Sequence, residues 1–574
     1  MTDRTPADLS AIVKAYDVRG DAGTQLTGEV AHALGAAFAD FLRRATGGVD
    51  MIVAHDMRES SPQLAGAFID GAVRRGATVA DAGLSSTDQL YCASGLHRAA
   101  GAMITASHNP AKDNGLKLCL PGARPISRDT GLAEMRATAE GYLDAGEVPE
   151  VAGGACQELD TLGDYVDTVL GLVPIRSGRR LRVVVDAANA MAGLTVPAVF
   201  EQLEQIELVP LHFDLDGTFP NHPADPLNPE NLEDLRAGVL REGADLGFAF
   251  DGDADRCVVL DEHGHLVPPS AITALIAERE IARARAAGEE RPAVVANLVS
   301  SRHVAETIDA AGGEHVRSKV GHSLIKALMA QNSAVFGGEH SAHYYFRDFF
   351  FADSGMLAAL HVLAALAETE GPLSQLVSAH EPYTSSGEIN SRVADAELAR
   401  EAVRAHVGAI PGTTSDELDG LTVEHWDPAG PEEDRWWFSL RSSNTEPLLR
   451  LNVEAAKEST MQRVRGEILG LVREGTTGAR AGGPTGTSAN GSTGMDAHEP
   501  PSAPSTEGDR DLELAPAGAS GADVPGWVRE RLRCPDCTGS LRDVNGGLQC
   551  TSCARVHAVE GGIPVLIAGR TEAP

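Results

Sequence analysis

The stretch Gly101-Ala102-Met103-Ile104-Thr105-Ala106-Ser107-His108-Asn109-Pro110 joins a short apolar strand to a tight turn that carries hydroxyls. Asn109-Pro110 initiates a turn, so Ser107 is expected on a loop at the end of a strand, where open α/β sheets hold their ligands. Upstream, Met51 to Ala54 reads as an apolar strand, Asp56 to Pro62 as a turn, Gln63 to Arg75 as a helix and Ala77 to Ala80 as the next strand. Strands alternating with helices predict an α/β domain with a largely parallel sheet. The pattern restarts at Leu181 to Val185, which ends in Asp186-Ala187-Ala188-Asn189, and reaches Leu246 to Phe250. It restarts again at Ala293 to Ala296, with Ala334 to Gly337 leading into Gly338-Glu339-His340. Three rounds of the same pattern predict three similar α/β domains.

From about Glu381 the texture changes. Trp437 to Leu440 and Leu448 to Val453 flank a polar loop, and Ser459 to Arg473 has helical spacing, which predicts a smaller α+β domain. Residues 474–523 are dominated by Gly, Pro, Ser, Thr and Ala with no Phe, Trp or Tyr, too poor in apolar surface to offset chain entropy, so a disordered linker is expected. A compact tail follows over 524–574.

The 574 residues suffice for several domains, and 43% hydrophobic content can fill more than one core. A net charge of -34 argues against a nucleic-acid binder and suits solubility. Anionic substrates then need local cations. Only six lysines occur, and Lys14, Lys112, Lys117 and Lys319 fall in or beside the polar loops. Met1 to Ser10 lacks the apolar core of a secretory signal, and no apolar run reaches membrane-span length. Cys92, Cys119, Cys156 and Cys257 are scattered, which is no secreted disulfide framework in so long a chain. A cytoplasmic location is expected.

Asp251-Gly252-Asp253-Ala254-Asp255-Arg256 places three carboxylates at alternate positions of one tight loop, where they can converge on a hard cation. A calcium loop of the EF-hand type would also use Glu262 at the twelfth position. Arg256, however, takes the sixth place, which needs glycine, and Cys257 to Leu260 reads as a strand rather than a helix. A magnesium site open to a phosphate oxygen fits better, and Arg256 suits phosphate or charge balance. A serine in a turn is ordinarily a turn residue, and no Gly-x-Ser-x-Gly elbow surrounds Ser107, so a hydrolase triad is not indicated. Beside a cation site and Lys117, Ser107 points instead to phosphoryl transfer.

Two further loops are polar. Gly338-Glu339-His340-Ser341-Ala342-His343 offers groups that read sugar hydroxyls, or a capped helix, or a histidine metal pair without a clear third ligand. Lys319-Val320-Gly321-His322 adds a cationic contact. Arg441-Ser442-Ser443-Asn444-Thr445 suits a phosphate held without metal, or is an ordinary polar hairpin. In the tail, Cys534, Cys537, Cys550 and Cys553 form C-x₂-C-x₁₂-C-x₂-C, the pattern of a structural zinc ribbon with all four positions filled by protein.

Together these segments resemble the α-D-phosphohexomutase superfamily. The resemblance rests on Lys14-Ala15-Tyr16-Asp17-Val18-Arg19-Gly20, Thr105 to Pro110, Asp251 to Arg256, Gly338 to His343 and Arg441 to Thr445, five motifs in the family's order. The run Glu339-His340-Ser341-Ala342-His343 is most similar to the phosphomannomutase/phosphoglucomutase branch. Phosphoglucosamine mutases carry Gln where His340 stands, and Ala342 replaces a glycine common in the family.

The resemblance implies three α/β domains with mixed sheets (1–150, 151–256 and 257–372) and an α+β domain (373–473) around a central cleft. It implies that Ser107 is carried as phosphoserine. A hexose 1,6-bisphosphate serves as intermediate and activator. Mg²⁺ is held by Asp251, Asp253, Asp255 and a phosphoserine oxygen, and Lys117 and Arg19 line the reaction centre, Lys117 handling the proton. Tyr16, Arg256, Lys319 and His343 join the substrate site. Glu339 and Ser341 hold sugar hydroxyls, and Arg441, Ser443, Asn444, Thr445 and His322 grip the other phosphate. Mannose is the expected sugar, with glucose also used, and the core is expected as a monomer or weak dimer whose fourth domain swings. Arg533 to Leu566 resembles small zinc-ribbon proteins that activate methyltransferases, so a protein partner for the tail is expected. The alternatives are a phosphoglucosamine mutase, a metal-dependent phosphosugar hydrolase, and a degenerate scaffold acting through the tail.

Overall fold

The computed structural model describes residues 6–175, 178–393, 395–442, 448–474, 541–544, 547–553, 556–560 and 563–564. The chain forms two compact units, 1–482 and 483–574. Four sheets make up the first. The first sheet runs from Val18–Asp21 through Asp113–Leu120, Ala100–Ile104, Asp50–His55 and Thr78–Leu84 to Ala155–Glu158. The second runs Leu266–Val267, Cys257–Leu260, Leu246–Phe250, Leu181–Asp186, Ile206–Leu211, and the third Glu314–Ser318, Ala293–Asn297, Phe336–Gly338, Tyr344–Phe346, Ala352–Asp353.

These three sheets share one plan. Each has a parallel core, and the last parallel strand turns straight back into an antiparallel neighbour. Ala100–Ile104 pairs antiparallel with Asp113–Leu120, Leu246–Phe250 with Cys257–Leu260, and Phe336–Gly338 with Tyr344–Phe346. The Ser107, Asp251 and Glu339 loops are therefore the same structural element in three copies. Each holds a non-glycine residue in the left-handed region: Ser107 at φ 52, Ala254 at φ 61 and Ala342 at φ 63. Such residues cost about 1–2 kcal/mol each and persist where the surroundings over-determine them.

Strand pairing, parallel in the first case and antiparallel in the second, carries two sheets past the expected limits. Ala155–Glu158 extends the first sheet past residue 150, and Cys257–Leu260 with Leu266–Val267 completes the second past residue 256. The helix Leu373–Ser378 packs on Pro269–Ala286 of the third domain, so the fourth sheet begins only at Thr384. Composition marks where a loop lies; hydrogen-bond partnership decides which sheet the next strand joins.

Cores follow the layers. Helices Gly28–Thr46 and Ser61–Arg74 cross at two glycines. A Cβ on Gly35 would stand 2.0 Å from the Phe68 carbonyl oxygen, and one on Gly71 1.9 Å from that of His32. The helix Gly355–Ala367 is buried along its whole length and lies in a core that the second and third domains share, as its all-round apolar sequence requires. The fourth sheet, Thr384–Arg392, Leu448–Ala455, Trp436–Ser442, Leu421–His425, Thr414–Asp416, is antiparallel throughout and carries helices Ala396–Val407 and Glu458–Glu474.

Residues 541–564 include a separate antiparallel sheet of Leu541–Val544, Gly547–Cys550, Val556–Glu560 and Ile563–Pro564. The expected linker, apart from Glu474 at the end of its helix, lies outside the described residues, as do Cys534 and Cys537. Among the described residues no helix is long and apolar enough to cross a membrane.

Candidate active site

Register brings the first two loops together. Asp50–His55 lies parallel to Ala100–Ile104, so Asp56 and Thr105 leave the sheet side by side, and Asp56 N–H donates to the Ile104 carbonyl at 3.0 Å. Ser107 N–H donates to Thr105 Oγ1 at 2.9 Å, and Ser107 Oγ donates to Asp251 Oδ2 at 2.8 Å. Ser107 is 1% exposed. Its carbonyl is gripped by Arg58, which also donates to the carbonyls of Asn109, Pro110 and Asp113, all at 2.7–3.0 Å. Arg19 adds bonds to the Ala106 carbonyl at 2.7 Å and Asn109 Oδ1 at 2.9 Å, and its Nε is paired with Asp17. The strained loop is thus tied down from two sides.

The three aspartates converge. One oxygen each of Asp251, Asp253 and Asp255 lies within 4.8 Å of the others, all buried. Lys117 Nζ donates to Asp253 Oδ2 at 2.6 Å and Asp255 Oδ2 at 2.5 Å, and Thr87 Oγ1 donates to Asp253 Oδ2 at 2.5 Å. Burial and the charge of Asp255 push Asp253 up, but Lys117 and the Thr87 hydroxyl together hold it below the ordinary carboxylate range. Asp255 is likewise held down, by Lys117 and Arg256 against burial. Asp251 has the more distant Arg256, 3.7 Å away; burial and the two neighbouring aspartates outweigh it and push the carboxyl well up. Asp253 Oδ1 and Asp255 Oδ1 are buried with no hydrogen-bond donor among the described residues. A buried carboxylate oxygen without a donor is costly, so this donor set fits a hard divalent cation.

The third loop closes against the second. Arg256 pairs with His343 across an antiparallel bridge, Cys257 N–H donates to the Ala342 carbonyl, and Arg256 Nε lies 3.0 Å from His343 Nε2. Ser341 Oγ lies 3.1 Å from His343 Nδ1. Glu339 accepts from Tyr345 OH at 2.7 Å, Gly321 N–H at 3.2 Å and Asn297 Nδ2 at 3.4 Å; burial outweighs these bonds and pushes its carboxyl up. Tyr16 faces the turn at Gly321 that bonds Glu339, since a Cβ on Gly321 would stand 3.4 Å from its hydroxyl.

Four family models cover this framework in order. They are phosphoglucomutase/phosphomannomutase α/β/α domain I over residues 10–141, domain II over 163–264, domain III over 268–383 and the C-terminal domain over 388–471. A Salmonella typhimurium phosphomannomutase is 37% identical, covering 79% of this chain and 97% of its own. The chain belongs to the phosphoglucomutase/phosphomannomutase family. It is a hexose-phosphate mutase. Xanthomonas campestris phosphohexose mutases are also 37% identical, over 80% of this chain and 98% of theirs. The crystal structure of a family member from Burkholderia thailandensis superposes with a TM-score of 0.71 at 32% identity, covering 82% of this chain and 98% of that one.

The mutase thus assembles Ser107, Lys117, Arg19, the three aspartates, Arg256, Glu339, Ser341, His343 and Tyr16 around neighbouring loops. Lys319 has an exposed side chain. Arg441 is buried in the fourth sheet and bonds Glu388 Oε2 at 3.0 Å. Ser443, Asn444, Thr445 and the side chain of His322 lie outside the described residues.

Sequence reasoning missed Arg58, Thr87 and His108. Arg58 is fully buried beside Asp56, 3.2 Å away; an Asp-x-Arg at the end of a buried strand was its signal. Thr87 opens the helix Thr87–His97 and reaches Asp253 from a segment with no motif. His108 Nδ1 lies 3.3 Å from Ser107 Oγ, and Arg256, burial and Arg19 keep its ring neutral.

Proposed function

We propose that this mutase interconverts hexose 1-phosphate and hexose 6-phosphate, mannose first and glucose second, through a phosphoserine at Ser107. The observation that carries the reading is Ser107 Oγ at 2.8 Å from Asp251, on the edge of a buried three-aspartate cluster with two carboxylate oxygens that lack donors among the described residues. The phosphomannomutase relatives support the choice of sugar.

A sugar hydroxyl attacks the phosphorus carried on Ser107. The new P–O bond forms as the Ser107 Oγ–P bond breaks; the sugar oxygen loses its proton and Ser107 Oγ gains one. The hexose 1,6-bisphosphate so formed turns over within the cleft and returns its other phosphoryl group to Ser107; added from outside, the same compound acts as activator. Asp251, Asp253, Asp255 and a phosphoserine oxygen would hold Mg²⁺, which would supply positive charge to offset that of the group in transfer.

Lys117 is the proton carrier. Burial works against its charge, but Asp253 and Asp255 outweigh it and raise its pKa, so it rests as an ammonium, and loosening of those two pairs is what would free its proton for transfer. Arg19 keeps its proton throughout and serves as a fixed charge. Arg256 and His343 line the path from the metal loop to the sugar loop, where Glu339 and Ser341 accept and donate to ring hydroxyls. Tyr16 and Lys319 border the entrance. Arg441, Ser443, Asn444, Thr445 and His322 hold the phosphate that does not react, and the fourth domain closes over each bound sugar.

We place the enzyme in the cytoplasm, which suits Cys92, Cys119, Cys156 and Cys257 outside any disulfide, and read the core as a monomer or weak dimer. In the tail we propose structural zinc on Cys534, Cys537, Cys550 and Cys553, and a protein partner. The N–H groups of Ser552 and Cys553 point at Cys550 Sγ, at 3.4 and 3.5 Å, which favours a thiolate.

A coupled assay over mannose, glucose and glucosamine 1-phosphates tests the proposal. Conversion to the 6-phosphate, fastest with mannose and without release of free phosphate, is expected. Stoichiometric phosphate release, or preference for glucosamine 1-phosphate, would overturn it.

A further inference from the structure

The turn after strand Leu181–Asp186 carries polar groups that the reaction does not use. Asp186 is 1% exposed. One ligand atom each of Asp186, His212 and His222 lies within 4.8 Å of the others. His222 Nε2 stands 3.0 Å from Asp186 Oδ2, while His222 Nδ1 stands 2.9 Å from the Pro223 carbonyl. Both facing oxygens accept, so a neutral ring with one hydrogen can satisfy only one of them, and with that hydrogen on Nδ1 the Nε2 atom is left without one. A neutral imidazole then turns a lone pair toward a carboxylate. The geometry calls for positive charge at Nε2, either a second proton or a metal ion.

The surroundings favour the ion. The ring of His212 lies 5.4 Å from that of His222 and nearly perpendicular to it, so a second imidazole borders the gap. His212 Nε2 bonds Asp234 Oδ2 at 3.0 Å. Each histidine therefore has the outer oxygen acceptor that metal-bound imidazoles ordinarily carry. Two imidazoles and one carboxylate suit a transition ion rather than magnesium.

We propose that Asp186, His212 and His222 bind a divalent transition-metal ion, zinc by donor chemistry, at a site separate from the three-aspartate loop. The ion pins the segment 212–223 against the first domain. From this segment Phe219 lies under the Arg58 guanidinium at 5.1 Å, and Gly217 packs so tightly that a Cβ would meet Arg58 Cα at 2.5 Å. Arg58 in turn holds the Ser107 loop. The site is a structural clamp behind the nucleophile.

The test uses the full-length chain with the four tail cysteines changed to serine, kept in excess magnesium and titrated with Zn²⁺ alone by calorimetry. A single equivalent should bind and raise the melting temperature. Asp234→Asn should weaken binding about tenfold, His212→Gln and His222→Ala should abolish it, and Glu233→Gln on the neighbouring surface should leave it unchanged. The Co²⁺-loaded chain should show d–d absorption lost in His212→Gln, which keeps a reading available where His222→Ala fails to fold. No zinc uptake by the parent chain, or equal uptake by the histidine variants, would mean a plain imidazolium–carboxylate pair and overturn the proposal.

Discussion

The floor of the cleft and the attachment of the fourth domain are built on opposite electrostatic plans. On the floor, charges are buried and matched: Arg58 against Asp56 with both side chains 0% exposed, Lys117 against Asp253 and Asp255. At the boundary of the third and fourth domains the ion pairs are half open to solvent, as in Arg317–Asp416 at 39% and 38% exposure and Arg302–Glu424 at 27% and 38%. Buried matched pairs are costly to break from one side, whereas exposed pairs contribute little. Glu454, a deeply buried charge at that boundary, is held by N–H donors of Arg302 and Trp437, and burial pushes its carboxyl up. On the proposed mechanism, matched buried charges hold the loop that carries the phosphoryl group, and half-open pairs fasten only lightly the domain that closes over the sugar.

The largest way to break this contrast is Lys117→Ala. It strands Asp253 and Asp255 and removes the proton carrier, so turnover in the coupled assay should fall by about 10²–10⁴-fold. Lys117→Arg should not restore it, because a planar guanidinium neither fits the ammonium's place nor gives up a proton. Next comes Arg58→Ala, which leaves Asp56 uncompensated and four loop carbonyls without their donor. Urea unfolding should show a loss of about 3–5 kcal/mol, together with lower turnover.

A third test uses pH. Asp88 joins the floor to the third domain by accepting from Ser86, Tyr165 and Ser354, and burial raises its pKa from 3.8 to about 6. A carboxyl raised on folding adds stability that is complete below pH 3.8 and lost as pH rises through about 6. Relative to Asp88→Asn, the parent protein should therefore lose up to about 3 kcal/mol between pH 4 and pH 8 in denaturant titrations. A constant difference across that range would reject the assignment. The smallest effect belongs to the other region. Arg317→Ala should cost under about 1 kcal/mol and fade with added salt.

The same contrast governs what could be read from sequence. Loops whose chemistry is local were legible: Asp251, Asp253 and Asp255 sit at alternate positions of one turn, and Ser107 stands after an apolar strand, so residue type and spacing sufficed. Strands were legible where apolar runs are bounded by turn residues, as at Leu246–Phe250 and Cys257–Leu260, which the structure matches. Partnership at long range was not legible. Arg58 in a plain turn reaches the Ser107 loop, and Thr87 reaches Asp253 across the domain border. Nothing in their own neighbourhoods records the partner. The common plan of three sheets was visible only as restarts, because a strand that turns back antiparallel needs a register, not a residue type.

The most direct test of the account is the phosphorylation state of Ser107 in active enzyme. Peptide mass spectrometry should find phosphate on Ser107, labelled hexose 1,6-bisphosphate should transfer its label there, and Ser107→Ala should lose both label and turnover. An active enzyme with unmodified Ser107, or undiminished turnover in Ser107→Ala, would contradict it.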